Sequence, residues 1–339
     1  MITNLEKFVP VFTVESWEDF DKLFRDCGPV VFRGHGDSSW ELKTNYERKF
    51  GTNVSRESSM LCQCIAEGHL FVDRPPVADD YVSWMAEMQH YGASTRLLDV
   101  SRSKYIALFF ALMGMDGGKD GAVWAFDTVR ADQELYNKLS AGMSVVKTQH
   151  TSVALSDGIM PYIDTGWKIA NAVMGCEPAG KISTISKDLN RCKALLNSLY
   201  KQGLIVHVAP KRMNRRLLAQ QGEFLFPLNI RKTYVQNLLG PIGGNTYSGT
   251  LCEFGNVESR NKARKTLAQS VIKVIVPHVL KEEFVDRLLE MNITYQTLFP
   301  DETGFMKSLS FQRNKKRSGL KLCNVKGQGL VCDCNEFLK

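Results

Sequence analysis

The chain has 339 residues, of which 44% are hydrophobic and 23% charged, so it can bury a sizeable core and is not disordered as a whole. No apolar run approaches the roughly 20 residues that cross a bilayer, and residues 1–7 lack the pattern of a secretion or organelle signal. Nine cysteines at scattered positions are an odd number and suit a reducing compartment, so we expect a cytoplasmic protein.

Two cysteine pairs, Cys62 with Cys64 and Cys332 with Cys334, have CxC spacing. Structural zinc sites commonly use CxxC pairs or a following His-x3-5-His segment, and neither accompanies these cysteines. We therefore expect no metal site.

The formal net charge is +7, and residues 312–339 hold seven Lys or Arg against two acidic residues. Such a segment favours a polyanionic partner, and a solvated tail without any partner fits the charge equally well. The composition shifts only near residue 311, and no repeat or linker divides the chain before it. We predict one domain over residues 1–310 and a basic tail over residues 311–339.

The first predicted elements bring Arg33 to the end of a strand. Apolar residues at helical spacing after Ser16 predict a helix that residues 27–29 end. β-branched residues then predict a strand over residues 29–33, followed by a turn at Gly-His-Gly-Asp, residues 34–37. Arg33 is therefore expected beside flexible backbone.

The central region combines helices with short strands. Residues 79–91 predict a helix with one apolar side, and residues 94–99 predict a strand or turn. Residues 103–113 are apolar all round, which predicts a helix buried on most faces, and residues 121–127 predict a strand. Residues 129–200 predict mostly helix and loop.

The last third contains the most informative strand. Residues 221–226 predict a strand in which Gln221 and Glu223 share one face while Phe224 and Phe226 share the other. The same patterns predict further elements, namely strands over residues 204–208 and 271–276 and an amphipathic helix over residues 281–291.

Arg33 and Glu223 are the clearest candidate site residues. The Arg33 guanidinium can donate two parallel hydrogen bonds to a phosphate or carboxylate, although a structural salt bridge explains the same residue. Glu223 could stabilise a cationic transition state or accept a hydrogen bond from a sugar hydroxyl, and Gln221 could orient an acceptor. A solvated strand face explains that pair equally well.

Several other chemistries lose their support from the sequence. It contains no Walker A motif, no GxGxxG, no HExxH and no GxSxG around Ser94, which argues against triphosphate hydrolysis, zinc hydrolysis and a serine nucleophile. A nuclease acting through His90 or His35 lacks the paired carboxylates of a metal site.

Three segments stand out: Phe-Arg-Gly-His at residues 32–35, Gln-His-Tyr-Gly-Ala-Ser-Thr-Arg-Leu-Leu-Asp at residues 89–99 with Ala-Leu-Phe-Phe-Ala at residues 107–111, and Ala-Gln-Gln-Gly-Glu-Phe at residues 219–224. Together they resemble the FRG domain family, named for its Phe-Arg-Gly motif. Thr-Leu-Phe-Pro-Asp at residues 297–301 resembles its C-terminal segment, so the likeness covers residues 11–310. Ala-Ser precedes Thr95 where the family usually has a proline, which leaves the backbone less rigid and adds a hydroxyl.

The order of these segments also resembles, more distantly, the mono-ADP-ribosyltransferases of the Arg-Ser-Glu type. That resemblance implies an α+β fold, an ADP-ribosyltransferase-like split β-sheet core with surrounding helices, and NAD as co-substrate without a metal. It implies that Arg33 holds the NAD phosphates, that Ser94 or Thr95 braces the pocket, that Glu223 bonds the ribose and stabilises its cation, and that Gln221 positions the acceptor. The other residues expected at or beside the NAD site are Gly34, His35, His90, Tyr91, Arg96, Asp99 and Phe110, with Gln220 in a structural role.

The acceptor is expected to be a macromolecule. The net charge and the basic clusters at residues 211–216 and 313–317 favour nucleic acid, RNA before DNA, although a protein side chain stays open. Bacterial proteins with such domains resemble toxins or anti-phage effectors held in check by a neutralising partner. The competing hypothesis is a non-enzymatic sensor or adaptor that uses the same pocket to bind a ligand.

Overall fold

In the computed structural model, the described residues are 5–7, 9–25, 30–128, 169–174, 200, 203–209, 213–239, 247–250 and 271–310. The strands are β1 (Pro10–Thr13), β2 (Val30–His35), β3 (Leu98–Ser101), β4 (Gly121–Asp127), β5 (Ile205–Val208), β6 (Gly222–Pro227), β7 (Tyr247–Thr250) and β8 (Val271–Val276). The α-helices with assigned bounds are α1 (Trp17–Leu23), α2 (Asn45–Phe50), α3 (Val54–Glu67), α4 (Tyr81–His90), α5 (Lys104–Gly114), α6 (Arg215–Ala219), α7 (Tyr234–Leu239), α8 (Lys281–Glu290), α9 (Tyr295–Leu298) and α10 (Glu302–Ser310). Residues 169–174 are also helical.

The eight described strands form a single mixed sheet in the order β5-β6-β3-β2-β4-β8-β1-β7. β1 runs parallel to both β7 and β8, and the other neighbours are antiparallel. The predicted α+β class is therefore confirmed. Among the described helices, none is long and apolar enough to cross a membrane.

Several elements form where the local sequence predicts them. β4 and β8 have the predicted bounds. α5 begins after Ser103, whose Oγ accepts a hydrogen bond of 3.3 Å from the amide of Ile106, and α4 begins after Asp80, whose carboxylate accepts one of 3.3 Å from the amide of Ser83. Side-chain oxygens at these positions satisfy amides that the first helical turn leaves unpaired. β1 was not predicted.

Arg33 lies within β2 rather than at its end, so the turn predicted at residues 34–37 begins two residues later, with a bend at residues 36 and 37. The strand continues to His35, and Gly34 pairs with Val123 of β4. A glycine inside a strand often marks a close approach of another backbone. Here a Cβ atom on Gly34 would lie only 2.0 Å from the carbonyl oxygen of Ala107, so the glycine lets α5 pack directly on β2.

β3 begins later than predicted and pairs unevenly with its two neighbours. Residues 94–97 form the loop before it, so Ser94 and Thr95 are not on the strand. β3 shares four residue pairs with β6 but only one, Phe32 with Ser101, with β2. β2 and β3 therefore form a seam in the sheet, held by one pair, beside the segment that contains Arg33 and Gly34.

The two faces of the sheet bury different clusters. Phe32 and Val123 pack with α5 and α8 on one face, where Phe224 also packs against α4. Val31 and Trp124 pack with α7 on the opposite face. Helices thus cover both faces, and the α4 and α5 clusters meet above the seam. The basic tail predicted at residues 311–339 lies outside the described residues, so the domain boundary stays a prediction.

Candidate functional site

A pocket of about 300 Å³ lies where the α4 and α5 clusters meet. The strands contribute Phe32, Arg33, Gly34, Asp99, Val100, Ser101 and Phe224; the helices and their ends contribute Asn45, Ala86, Gln89, His90, Ala107, Phe110, Arg216, Leu217 and Gln220. The pocket therefore joins all three predicted segments, and its lining includes the cations Arg33 and Arg216 and the carboxylate Asp99.

Arg33 lines this pocket without a carboxylate partner among the described residues. Its Nη1 donates a hydrogen bond of 2.6 Å to the backbone carbonyl oxygen of Asp99, and its Nε donates to Nε2 of His35 at 3.4 Å. Burial lowers the pKa of Arg33, and the nearby charge of Asp99 opposes that shift. A partly desolvated guanidinium whose charge is not matched by an ion pair favours an anionic ligand.

His35 supports Arg33 and does not line the pocket. Its ring is buried and packs between Trp40 and Trp124, with ring centroids 6.1 and 6.4 Å away. Burial, and then the charge of Arg33, lower the pKa of His35 to about 3. The neutral imidazole can therefore accept the hydrogen bond from Arg33 Nε, which orients the guanidinium.

Gln89 links two residues of the segment at 89–99. Its Nε2 donates a hydrogen bond of 2.6 Å to Oδ1 of Asp99, and its Oε1 accepts one from the Thr95 hydroxyl. The Thr95 hydroxyl in turn accepts from the amide of Leu97 at 3.2 Å. Thr95 is buried outside the pocket lining, so it reaches the pocket only through Gln89. Ser94 is half-buried and does not line the pocket.

Of the aromatic residues predicted beside the ligand, some line the pocket and one does not. Phe110 lines the pocket and meets Phe299 edge to face, with ring centroids 6.0 Å apart. His90 also lines the pocket. Tyr91 is 72% exposed and lies outside the lining, against the His90 ring at 4.8 Å.

The predicted catalytic pair lies outside the pocket lining. Glu223 is 6% exposed, and its Oε2 lies 2.7 Å from Nε2 of His207, while its Oε1 lies 3.5 Å from Nε of Arg102. Phe224 points into the pocket, so the alternation of β6 turns Glu223 to the other face. The alternative of a solvated strand face is wrong for Glu223, which is buried.

Gln221 does not share a strand face with Glu223, which corrects the predicted register. It precedes β6, is exposed, and has φ 47°, so the alternation of strand side chains does not reach it. Its carbonyl oxygen accepts a hydrogen bond of 3.0 Å from the amide of Arg102.

Residues 28–119 match the FRG domain family. This segment of the chain is an FRG domain. The resemblance predicted from the sequence is thereby confirmed over the matched residues, and it stays a prediction over the rest of residues 11–310. No curated protein and no solved structure matched the chain.

The FRG domain supplies most of the pocket, but not all of it. It contributes Arg33, Gln89 and Asp99, whereas Arg216 and Phe224 come from beyond the matched residues. The pocket is therefore completed by α6 and by β6, which pairs with β3 of the FRG domain.

A buried ion pair fixes the loop that precedes β3 in the FRG domain. The amide and Nε of Arg96 donate to the Glu57 carboxylate at 3.2 and 2.7 Å, and Nη2 of Arg96 also contacts it. The two side chains are 2% and 3% exposed. Because Arg96 adjoins Thr95, this pair holds the chain that carries both Thr95 and Asp99.

Sequence reasoning did not single out Gln89, Ser101 or Asn45, which all line the pocket. Ser101 closes the strand end, since its Oγ donates to the carbonyl oxygen of Gln220 at 2.7 Å and accepts from the amide of Ser103 at 3.1 Å. The signal for Ser101 was its place two residues before the Ser103 helix cap. Gln89 stood in the FRG segment, but nothing local marks it as the partner of Asp99.

Proposed function

We propose that this pocket binds NAD and that the protein is an NAD-dependent ADP-ribosyltransferase. The observation that carries the proposal is Arg33, a residue of the pocket lining that makes no ion pair among the described residues. A pyrophosphate supplies the missing negative charge, and its oxygens match the planar fork of N–H groups. Arg216 adds a second positive charge to the same lining.

The strand order supports the comparison with the Arg-Ser-Glu type transferases. β2, β3 and β6 are neighbours in the sheet; β2 carries Arg33 and β6 carries Glu223, while Ser94 and Thr95, the predicted serine positions, lie in the loop before β3. Val100 pairs with Glu223, and Ser101 pairs with Phe32, the residue before Arg33. The candidate phosphate clamp and the candidate catalytic carboxylate thus lie on strands separated only by β3.

The proposed reaction breaks the bond between C1′ of the nicotinamide ribose and the ring nitrogen. The bonding electron pair leaves with nicotinamide, and the acceptor atom then bonds C1′ and loses one proton. A carboxylate near C1′ stabilises the cationic transition state more than the substrate, which accelerates the step. We assign this role to Glu223, whose side chain shares with Arg33 the sheet face opposite Phe32 and Phe224, and we assign to Gln221 the positioning of the acceptor.

We propose nucleic acid, RNA before DNA, as the acceptor. Basic side chains adjoin the pocket on its α6 side: the Arg216 guanidinium lies 4.6 Å from the Phe299 ring centroid and Lys307 Nζ lies 5.4 Å from it. Neighbouring cations and aromatic rings suit a single strand, whose backbone is anionic and whose bases stack. The predicted role as a toxin or anti-phage effector with a neutralising partner belongs to this proposal.

The second candidate is a non-enzymatic domain that binds the same ligand as a sensor or adaptor. One observation favours it: Glu223 is buried against His207 and does not line the pocket. A pocket with an anion clamp but no available catalytic carboxylate binds its ligand without turnover.

The deciding experiment incubates the full chain with adenylate-labelled NAD and separate pools of RNA, DNA and cell protein. We expect label on RNA and release of nicotinamide. Arg33→Lys keeps the charge but loses the fork, so transfer should fall at least about tenfold. Arg287→Lys, at an exposed position on α8, is the matched control and should retain activity. Binding of NAD without nicotinamide release would instead establish the sensor or adaptor.

A further inference from the structure

Asp99 is an exposed carboxylate in the interior of the sheet. Its neighbours on β3, Leu98 and Val100, are buried, and β3 itself lies between β6 and β2. The Asp99 side chain is open because it faces the pocket, which it lines together with Arg33. It is thus the carboxylate of the pocket lining.

The hydrogen bonds around Gln89 fix how Asp99 is presented. The Thr95 hydroxyl accepts from the amide of Leu97, so its own proton is free to donate to Oε1 of Gln89. The Gln89 amide group is then turned with its NH₂ toward Asp99, where Nε2 donates to Oδ1 at 2.6 Å. Oδ2 of Asp99 makes no hydrogen bond to any described residue, and it remains as an acceptor beside the pocket.

An ionised carboxylate only accepts hydrogen bonds, so the ligand atom that meets Oδ2 must be a donor. Arg33 only donates hydrogen bonds, so the ligand atom that meets it in the same pocket must be an anionic acceptor. The two requirements are linked through one residue, because the backbone carbonyl oxygen of Asp99 accepts from Arg33 Nη1 at 2.6 Å. A sugar phosphate, with hydroxyl donors next to phosphate oxygens, satisfies both.

We infer that Asp99 recognises the ribose of the ligand by accepting hydrogen bonds from its hydroxyls, and that Gln89 and Thr95 are positioning residues for that carboxylate. The inference rests on the proposed function for the nature of the ligand, and it gives to Asp99 the ribose contact that the family resemblance gives to Glu223. Arg33 then binds the phosphate, and Asp99 binds the hydroxyls, of one sugar phosphate unit.

The test measures the affinity of the full chain for two probes, ADP-ribose and inorganic pyrophosphate, by calorimetry. Asp99→Asn keeps an acceptor for Gln89 but turns an NH₂ group toward the ligand. We expect this variant to lower the affinity for ADP-ribose at least about tenfold, which is the usual effect of losing a hydrogen bond to a charged group. Pyrophosphate has no ribose hydroxyls, so its affinity should stay equal or rise. Glu290→Gln, at the exposed end of α8, is the control for a lost carboxylate.

The positioning role has its own readout. Thr95→Val should weaken ADP-ribose and spare pyrophosphate, whereas Thr95→Ser, which restores the hydroxyl, should recover the affinity. Three results would overturn the inference. Asp99→Asn could lose affinity for both probes equally, it could keep the wild-type affinity for ADP-ribose, or the wild type could fail to bind ADP-ribose. Failure of the proposed function looks different, because ADP-ribose binding that depends on Asp99 would persist without transfer from NAD.

Discussion

Nη1 of Arg33 donates a hydrogen bond of 2.6 Å to the backbone carbonyl oxygen of Asp99, which joins β2 to β3 beyond their only residue pair. A side chain thus replaces the backbone ladder at this point of the sheet. Because Arg33 is also part of the pocket lining, the sheet geometry and the proposed ligand contact depend on one residue.

The role of Glu223 is tested by separating binding from transfer. Glu223→Gln should abolish most transfer from NAD, because the neutral amide no longer stabilises a ribosyl cation. The same variant should bind ADP-ribose like the wild type, because the proposed contribution of Glu223 appears as the cation forms and not in the bound ground state. Labelled NAD and calorimetry give the two measurements. Full transfer in Glu223→Gln would remove the catalytic assignment.

His35 predicts a specific pH dependence of stability. Its folded-state pKa, about 3, lies below the ordinary value of 6.5, so the unfolded chain binds a proton that the folded chain does not. His35 therefore lowers the free energy of unfolding as the pH falls from 6.5 toward 3, by at most about 1.4 kcal/mol per pH unit. The charges near the ring, on Arg33, Arg48 and Lys273, act in the same direction.

Urea denaturation between pH 7.5 and 4.5 checks this dependence. His35→Gln should flatten the decline, because glutamine does not titrate. His69→Gln, at an exposed position, should leave the decline unchanged. A decline that is as steep in His35→Gln as in the wild type would show that other groups cause it.

The Glu57 and Arg96 pair predicts a large effect on stability. Glu57→Gln leaves the buried Arg96 charge without its counter-ion, which should lower the free energy of unfolding by about 3–5 kcal/mol. Glu67→Gln, at the exposed end of the same helix, should change it by less than about 0.5 kcal/mol. Equal effects in urea denaturation would contradict the structural role of the pair.

Arg216 and Lys307 predict the salt dependence of RNA binding. If each contacts a phosphate, alanine at either position should reduce the slope of log affinity against log salt by about 0.7, and the loss should not depend on base sequence. Arg287→Ala on α8 serves as the control. Filter binding of single-stranded RNA across a salt series gives the slopes, and slopes equal to that of the wild type would move the acceptor surface elsewhere.

The sequence predicted elements well where the signal is local. β4 is a run of apolar residues between Gly121 and Asp127, β8 is a β-branched run interrupted only by Lys273, and α5 has both a serine cap and an apolar helix. β2 was predicted too short because Gly34 and Gly36 suggested a turn. Gly34 lies inside the strand, where α5 packs on it, and only Gly36 lies in the bend that follows; a Cβ atom on Gly36 would lie 2.1 Å from the carbonyl oxygen of Gly114 at the end of α5.

The site was predicted less completely, because it depends on contacts between distant residues. Arg33 and the segment at 89–99 were identified, but alternation alone gives two faces without saying which one carries the pocket. That choice depends on where α4 and α5 pack, and it turned Glu223 away and Phe224 inward. The Glu57 partner of Arg96 lies 39 residues away and has no local signature.

Because β2 and β3 share a single residue pair, the sheet divides there into a group of three strands, β5-β6-β3, and a group of five strands that begins with β2. The two groups are held together there by side-chain packing on the α7 face of the sheet and by the hydrogen bond from Arg33 to the carbonyl oxygen of Asp99. A ligand bound by both Arg33 and Asp99 would link β2 to β3 across the seam. At a hundredfold excess over its dissociation constant it would raise the free energy of opening by about 2.7 kcal/mol, so slower amide exchange in β2 and β3 would report occupancy.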